Sequence, residues 1–244
     1  MQNISTIFSK EIASFLNSLI AYIVMAVFLI GVGVFCWLFE FNILENGYAS
    51  LDTLFEYAPF MFLFLIPAIT MRAFSEEIKT GTIELLSTKP LTDWQIILGK
   101  YLAAVFLVFL SLLPTIIYAI TVYRLGEPVG NMDIGATIGA YIGLFFLGAI
   151  FASIGLFTSA LTENQIVAFI LGVFCCFVFF LAFDFLSGVK SLSAVNAFLI
   201  RIGILEHYQS ISRGVIDTRD ALYFISFVSI TLILTWLVFL SRKK

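Results

Sequence analysis

The chain has 244 residues, of which 61% are hydrophobic and 12% charged, with 28 Phe, 9 Tyr, 3 Trp and a formal net charge of -3. Its 16 glycines bring the apolar share to about 68%, against roughly 45–50% in soluble domains. A water-soluble enzyme of this size would have to hide more apolar surface than folding removes, and abundant aromatics with little net charge are the reverse of a disordered composition, which leaves an integral membrane protein.

Asp, Glu, Lys and Arg are missing from residues 12–39, 57–71, 101–123, 134–162, 164–183 and 221–241. A helix needs about 20 apolar residues to cross a hydrocarbon core of about 30 Å, so five of these runs span as they stand. The second is short: it crosses only with Glu56 and Arg72 at the interfaces, and with neighbours making good the hydrogen bonds that Pro59 and Pro67 remove. Barrel strands would alternate polar and apolar residues, and residues 174–181 do not. The predicted fold class is therefore an all-α integral membrane protein with six transmembrane helices. The predicted spans cover residues 19–39, 55–73, 96–122, 136–160, 165–184 and 221–241 of a single domain, 1–244.

In chain order, Ile4, Ile7, Phe8, Ile12, Phe15, Leu16 and Leu19 recur at helical steps among polar residues. This predicts an N-terminal amphipathic interfacial helix over residues 1–18; the alternative is a plain extension of the first span. The 28 uncharged residues after Glu11 exceed the apolar core of a cleavable signal. The loop from 40 to 56 carries four acids and no base and reads as a solvated face rather than a cation site.

Residues 74–95 form the main polar segment on the side of the termini. Gly81 is placed as the left-handed residue that ends a helix leaving the second span. Thr82 can cap a short helix through Ile83, Glu84, Leu85 and Leu86, with Glu84 near its positive end. Pro90 stops that helix, and Thr92 and Gln95 form a capping box for the third span. The result is an amphipathic element offering Ile83, Leu85 and Leu86 within a charged rim, either a docking surface or a loop helix resting on its own bundle. Farther on, Gly135, Gly139 and Gly143 permit a close helix approach on the fourth span, within the subunit by preference and at a dimer seam otherwise. Apolar stretches 191–200 and 202–205 in the external segment 185–220 are too short to cross and predict re-entrant or interfacial helices before the last span. Eight Lys and Arg lie near span ends on the side of the termini and five on the other, which predicts both termini in the cytoplasm.

The run Glu77-Ile-Lys-Thr-Gly-Thr-Ile-Glu-Leu-Leu86, followed by Thr92-Asp-Trp-Gln95, resembles the Glu-x-x-x-Gly-Thr-x-Glu-x-Leu signature between spans two and three of ABC-2-type transporter permeases. The span count and amphipathic start agree. Residues 205–217, ahead of the last span, look most like the gliding-motility-associated GldF group of Bacteroidetes. The resemblance implies a permease in a bacterial inner membrane whose segment Glu76, Glu77, Gly81, Thr82, Ile83, Glu84, Leu85, Leu86 is a coupling helix seated on a separate cytoplasmic ATP-binding cassette ATPase. It further implies a second permease subunit, either a copy or a related chain, surrounding membrane lipids, and no nucleic acid. Ile78 departs from the family, where a basic residue commonly follows the glutamate.

No phosphate-binding Gly-x-x-x-x-Gly-Lys-Ser/Thr loop occurs, so no enzyme activity and no cofactor are expected on this chain, and ATP would be hydrolysed by the partner. Cys36, Cys175 and Cys176 lie inside spans as packing residues. His207, the single histidine, lacks the companions of a metal site and reads as an interfacial polar residue. Glu163 belongs to a tight turn, whereas Asp184, at the outer end of span five, is a candidate vestibule residue. A non-transporting scaffold of a motility or secretion complex is the alternative function. A secondary transporter is a weaker one, because the runs hold no midplane charge.

Overall fold

The computed structural model describes residues 2–39, 42–45, 47–82, 91–188, 196–214 and 217–242. Six helical segments are long and apolar enough to cross a bilayer, and the described residues contain no strand. Helix α1, Gln2–Leu16, is separate from the first span, α2, Leu19–Trp37. Ser18 between them is extended, with φ -96° and ψ 128°, and its hydroxyl accepts from the Arg72 guanidinium at 3.1 Å. The amphipathic N-terminal helix is thus a distinct element. It lies on the third span where Gly99 has no side chain, because a Cβ there would come within 2.6 Å of Ile7 Cγ2.

The second span, α3, Asp52–Thr70, runs on through a turn into α4, Ser75–Lys79. The third consists of α5, Asp93–Leu112, and α6, Ile116–Leu125. A 3₁₀ turn, Leu113–Thr115, separates them, where the sequence suggests one unbroken helix. Pro114 is the cause: it lacks an N–H and its ring crowds the carbonyl one turn back. The fourth span, α7, Ile134–Leu161, is the most enclosed. The second and third spans rest on it through glycines: a Cβ on Gly155 would lie 2.0 Å from Thr70 Oγ1, and one on Gly148 would lie 2.5 Å from Val108 Cγ1. The fifth span opens as α8, Gln165–Phe177, loosens into a π turn at Val178–Ala182, and ends as α9, Phe183–Ser187. Two short helices follow, α10, Asn196–Ile202, and α11, Ile204–Ser212, before the last span, α12, Thr218–Ser241.

Helix α11 is tucked into the bundle. Ile204, Tyr208 and Ile211 are buried at steps of four and three, on one helical face. Gly214 (φ +87°) ends the helix, and its backbone meets α7 so closely that a Cβ would sit 2.7 Å from Ala136 Cα. His207 pairs with Asp220 of α12 at 2.7 Å, touches the Arg201 carbonyl at 3.0 Å and stacks on Tyr223. Opposite these, the Tyr208 hydroxyl donates to the Phe55 carbonyl at 2.6 Å. That carbonyl is the one Pro59, four residues on, leaves without its helical donor. Burial raises the Tyr208 phenol well above its ordinary value, which keeps the proton on the oxygen that donates it.

This repair of a proline break from outside the helix is measurable. Tyr208→Phe should destabilise the detergent-purified chain by about 1–3 kcal/mol, the cost of a buried carbonyl left unpaired. In a Pro59→Ala background, where residue 59 supplies its own N–H, the same change should cost distinctly less. Additive losses in thermal unfolding of the four proteins would exclude this role for the tyrosine.

Candidate functional site

The end of the molecule that carries both termini is built around Phe74, which is fully buried. Ile7, Ile96, Ile97, Leu156, Leu232 and Phe239 close over it, so α1, α5, α7 and α12 all contribute. Trp94 at the head of the third span stacks on Trp236 of the sixth at 5.6 Å. The third span begins with a capping box: the Gln95 N–H donates to Thr92 Oγ1 at 3.4 Å, and the Thr92 N–H to Gln95 Oε1 at 3.1 Å. Arg242 donates to the Leu161 carbonyl at 2.6 Å, placing a cation at the negative end of α7.

Two polar joints hold α4 in this cluster. Ser159 of α7 accepts from the backbone N–H groups of Phe74 and Ser75 at 3.0 and 3.1 Å and donates to the Met71 carbonyl at 2.9 Å. One hydroxyl thus satisfies three backbone groups at the bend between the second span and α4. The second joint is ionic. Lys100 Nζ lies 2.9 Å from Glu11 Oε1 of α1 and 2.9 Å from Glu77 Oε1 of α4, with side-chain exposures of 3%, 13% and 15% for the lysine and the two acids. The ammonium also sits 5.3 Å from the centre of the Phe74 ring, the electron-rich face that attracts a cation. One buried charge therefore ties the N-terminal amphipathic helix, the segment after the second span and the third span together.

Beyond this joint the chain turns outward. Glu76, Lys79, Thr80 and Gly81 are exposed. Gly81 has φ +69°, a conformation that costs a residue with a Cβ about 1–2 kcal/mol. Thr80 Oγ1 donates to the Glu76 carbonyl at 2.8 Å and contacts the Thr82 hydroxyl at 2.9 Å, which closes the last turn of α4. Glu76 and Glu77 thus separate: the first faces outward, and the second is held inward by Lys100. Ile83, Glu84, Leu85 and Leu86 lie outside the described residues.

The remaining candidates lie elsewhere. A Cβ on Gly139 would come 2.7 Å from Gly214 Cα, and one on Gly143 would come 3.2 Å from Ile211 Cγ2, so both face α11 of the same chain. Gly135 is exposed and meets only its neighbour Asp133. Asp184 is exposed in the first turn of α9. Among the described residues, no three His, Cys, Asp or Glu side chains gather as a metal site would require.

In sequence, Lys100 is one of the eight cations near span ends on the side of the termini, and nothing adjacent to it marks Glu11 as its partner. The signal was present in helical phase. Glu11 follows Ile7 by four residues and precedes Phe15 by four, on the apolar stripe of α1; Lys100 follows Ile96 and precedes Ala104 in the same way. A charge on a buried stripe calls for a buried partner.

The model of the ABC-2 family transporter proteins matches residues 41–241. The chain belongs to the ABC-2 transporter family. No curated protein matches it. Family membership and six crossing helices make it a multi-pass membrane subunit of a transporter. The matched region takes in α4, Lys100 and Ser159, whereas Glu11 lies ahead of it. In this ABC-2 permease the ionic joint therefore joins the family region to the helix that precedes it.

Removing the lysine alone strands two largely enclosed carboxylates, 13% and 15% exposed. Lys100→Met should cost about 3–5 kcal/mol in denaturant unfolding of the purified permease, and adding Glu11→Gln and Glu77→Gln to it should restore most of that loss. If the triple variant is as unstable as the single one, the ionic joint is not what holds α1 and α4 together.

Proposed function

We propose that this ABC-2 permease couples ATP hydrolysis on a separate ATP-binding cassette subunit to transport or conformational work across a bacterial inner membrane, with both termini in the cytoplasm. The observation that carries this reading is the pairing of an exposed outer edge, Glu76, Lys79, Thr80 and Gly81, with the two joints behind it at Lys100 and Ser159. A push on residues 76–81 would reach α5 through Lys100 and α7 through Ser159. The outer edge is the contact for the ATPase, with Glu76 available to it directly and Glu77 acting through Lys100. Ile83, Leu85 and Leu86 supply its apolar contacts and Glu84 its charge. A second permease subunit, a copy or a related chain, completes the membrane part. The ATPase shifts the equilibrium between the permease's two states only if it binds one of them more tightly, so ATP binding must change its grip on this edge.

The test is ATP hydrolysis by the purified complex. Gly81→Pro together with Glu84→Arg should leave membrane insertion intact but uncouple hydrolysis from the permease, so that the stimulation it gives the ATPase is lost. Hydrolysis and transport both unchanged in that double variant would remove the segment from the coupling path.

Gliding motility is the task favoured by the likeness of residues 205–217 to the gliding-associated group. Deleting the gene from a gliding strain should stop colony spreading, and the intact gene should restore it. Normal spreading after deletion would detach the permease from that task and leave its family reading untouched.

A further inference from the structure

His207, Asp220 and Tyr223 meet where α10, α11 and α12 come together. Asp220 opens α12, whose other end packs on Phe74 through Phe239, so the cluster lies at the end of the molecule away from both termini. His207 of α11 turns one ring nitrogen to each neighbour. Its Nδ1 lies 2.7 Å from Asp220 Oδ1 of α12, and its Nε2 lies 3.0 Å from the Arg201 carbonyl in the last turn of α10. The ring stacks on Tyr223, one turn along α12 from Asp220, with 3.8 Å between centres and 19° between planes. The Tyr223 hydroxyl donates to the next carbonyl of α10, that of Ile202. Two side chains thus hold the last two carbonyls of α10, and one of them can change its charge.

The proton count at His207 follows from these partners. A backbone carbonyl and an ionised carboxylate can only accept. A neutral imidazole carries one N–H, so it serves one of the two oxygens and turns a lone pair on the other. Both contacts are met at once only when the His207–Asp220 pair holds one proton more, as imidazolium and carboxylate, and 2.7 Å is the separation of a charge-assisted bond. Asp220 needs that cation, because it is buried and its Oδ2 has no hydrogen-bond partner. The charged side chains on the surrounding helices, Asp184 of α9, Arg201 of α10, Glu206 of α11 and Asp217 and Arg219 at the head of α12, are exposed. Among the described residues His207 is the one ion-pair partner of Asp220. Helix α7, against which α11 packs, holds no charged residue, and the second span, with Asp52 and Glu56, meets α11 from another side, at Tyr208.

We infer that His207 and Asp220 form a proton-operated latch, which ties α10 to α11 and α12 while the imidazole carries both protons and releases α10 when one is lost. The remaining N–H goes to the carboxylate, the stronger acceptor, so the Arg201 carbonyl is left facing a lone pair. Helix α11 stays anchored through Ile204, Tyr208 and Ile211, and α10 keeps only the bond from Tyr223 to this side. The closed form binds the extra proton, so its advantage is present at low pH and falls as pH rises through the titration of the pair. Imidazole is the side chain that changes charge in the physiological range, which makes this a regulatory contact rather than a fixed one. The latch is independent of the ATPase reading, and so is its test.

His207 is the single histidine of the chain. Nitrogen-labelled histidine in the full-length permease, purified through a tag without histidine, therefore gives one imidazole whose two nitrogens report their protons by magnetic resonance. The ring should pass from two N–H groups to one between about pH 5 and 9. Over the same interval the amides of residues 197–203, followed by hydrogen–deuterium exchange and corrected for its intrinsic pH dependence, should open about tenfold or more, the equilibrium worth of a hydrogen bond to a charged group. Amides of the fourth span should show no such step. In Asp220→Asn the side-chain amide can itself donate to Nδ1, so a neutral imidazole satisfies both neighbours and α10 should stay protected with no step. His207→Gln, which cannot titrate, should lose the step as well. No step in the parent, a step displaced in pH from the ring titration, a step that persists in either variant, or an imidazole that keeps one protonation state throughout would each overturn the latch.

Discussion

The arrangement depends on one buried ammonium. Lys100 faces two carboxylates at 2.9 Å each and the ring of Phe74, and no charge so enclosed is tolerated without such partners. Its two acids come from elements far apart in sequence, a helix ahead of the first span and a short helix after the second, which the apolar cluster around Phe74 also brings together. The desolvation cost of the lysine therefore enforces a tertiary geometry. Since α1 and α4 answer to the same cation, neither can leave the third span without stranding a charge. For a permease subunit this makes the polar end one mechanical body.

The fourth span is the other half of that body. It is enclosed because three neighbours press into its glycines, the Val108 side chain at Gly148, the Thr70 side chain at Gly155 and the backbone of Gly214 at Gly139, and lipid offers no competing hydrophobic drive, so close packing decides which helices associate. Ser159 then converts contact into attachment by satisfying three backbone groups at the bend before α4. Displacement of α4 thus has two routes inward, one ionic into the third span and one hydrogen-bonded into the fourth.

Away from this end the backbone is less regular, and at two of the irregularities a tyrosine hydroxyl meets the chain. Pro59 frees a carbonyl that Tyr208 caps, and Tyr141 donates to the Thr115 carbonyl in the 3₁₀ turn that follows Pro114. This follows the rule that exposed backbone polar groups do not survive in hydrocarbon unless the protein itself meets them. Helix α11 belongs to the same logic: too short to cross, it is held by Ile204, Tyr208 and Ile211 below, and by the His207–Asp220 pair beside it.

The six crossings, the separate amphipathic start, the left-handed turn at Gly81 and the capping box at Thr92 were legible because each follows from local chemistry: charge-free length, helical periodicity, a missing Cβ and a side-chain acceptor three residues from its donor. The Pro114 break was legible in principle, as a proline inside an apolar run. What the sequence by itself determined, then, is that the chain crosses a membrane six times and bears a polar foot between its second and third crossings. Only the tertiary structure decided that Glu77 turns inward while Glu76 turns out, that Glu11 rather than a neighbour in sequence balances Lys100, and that Gly139 and Gly143 serve α11. Ion pairs 89 and 23 residues apart in sequence leave no local pattern. They exist because burying a charge is costly, and which partner meets that cost depends on which helices close packing brings within reach.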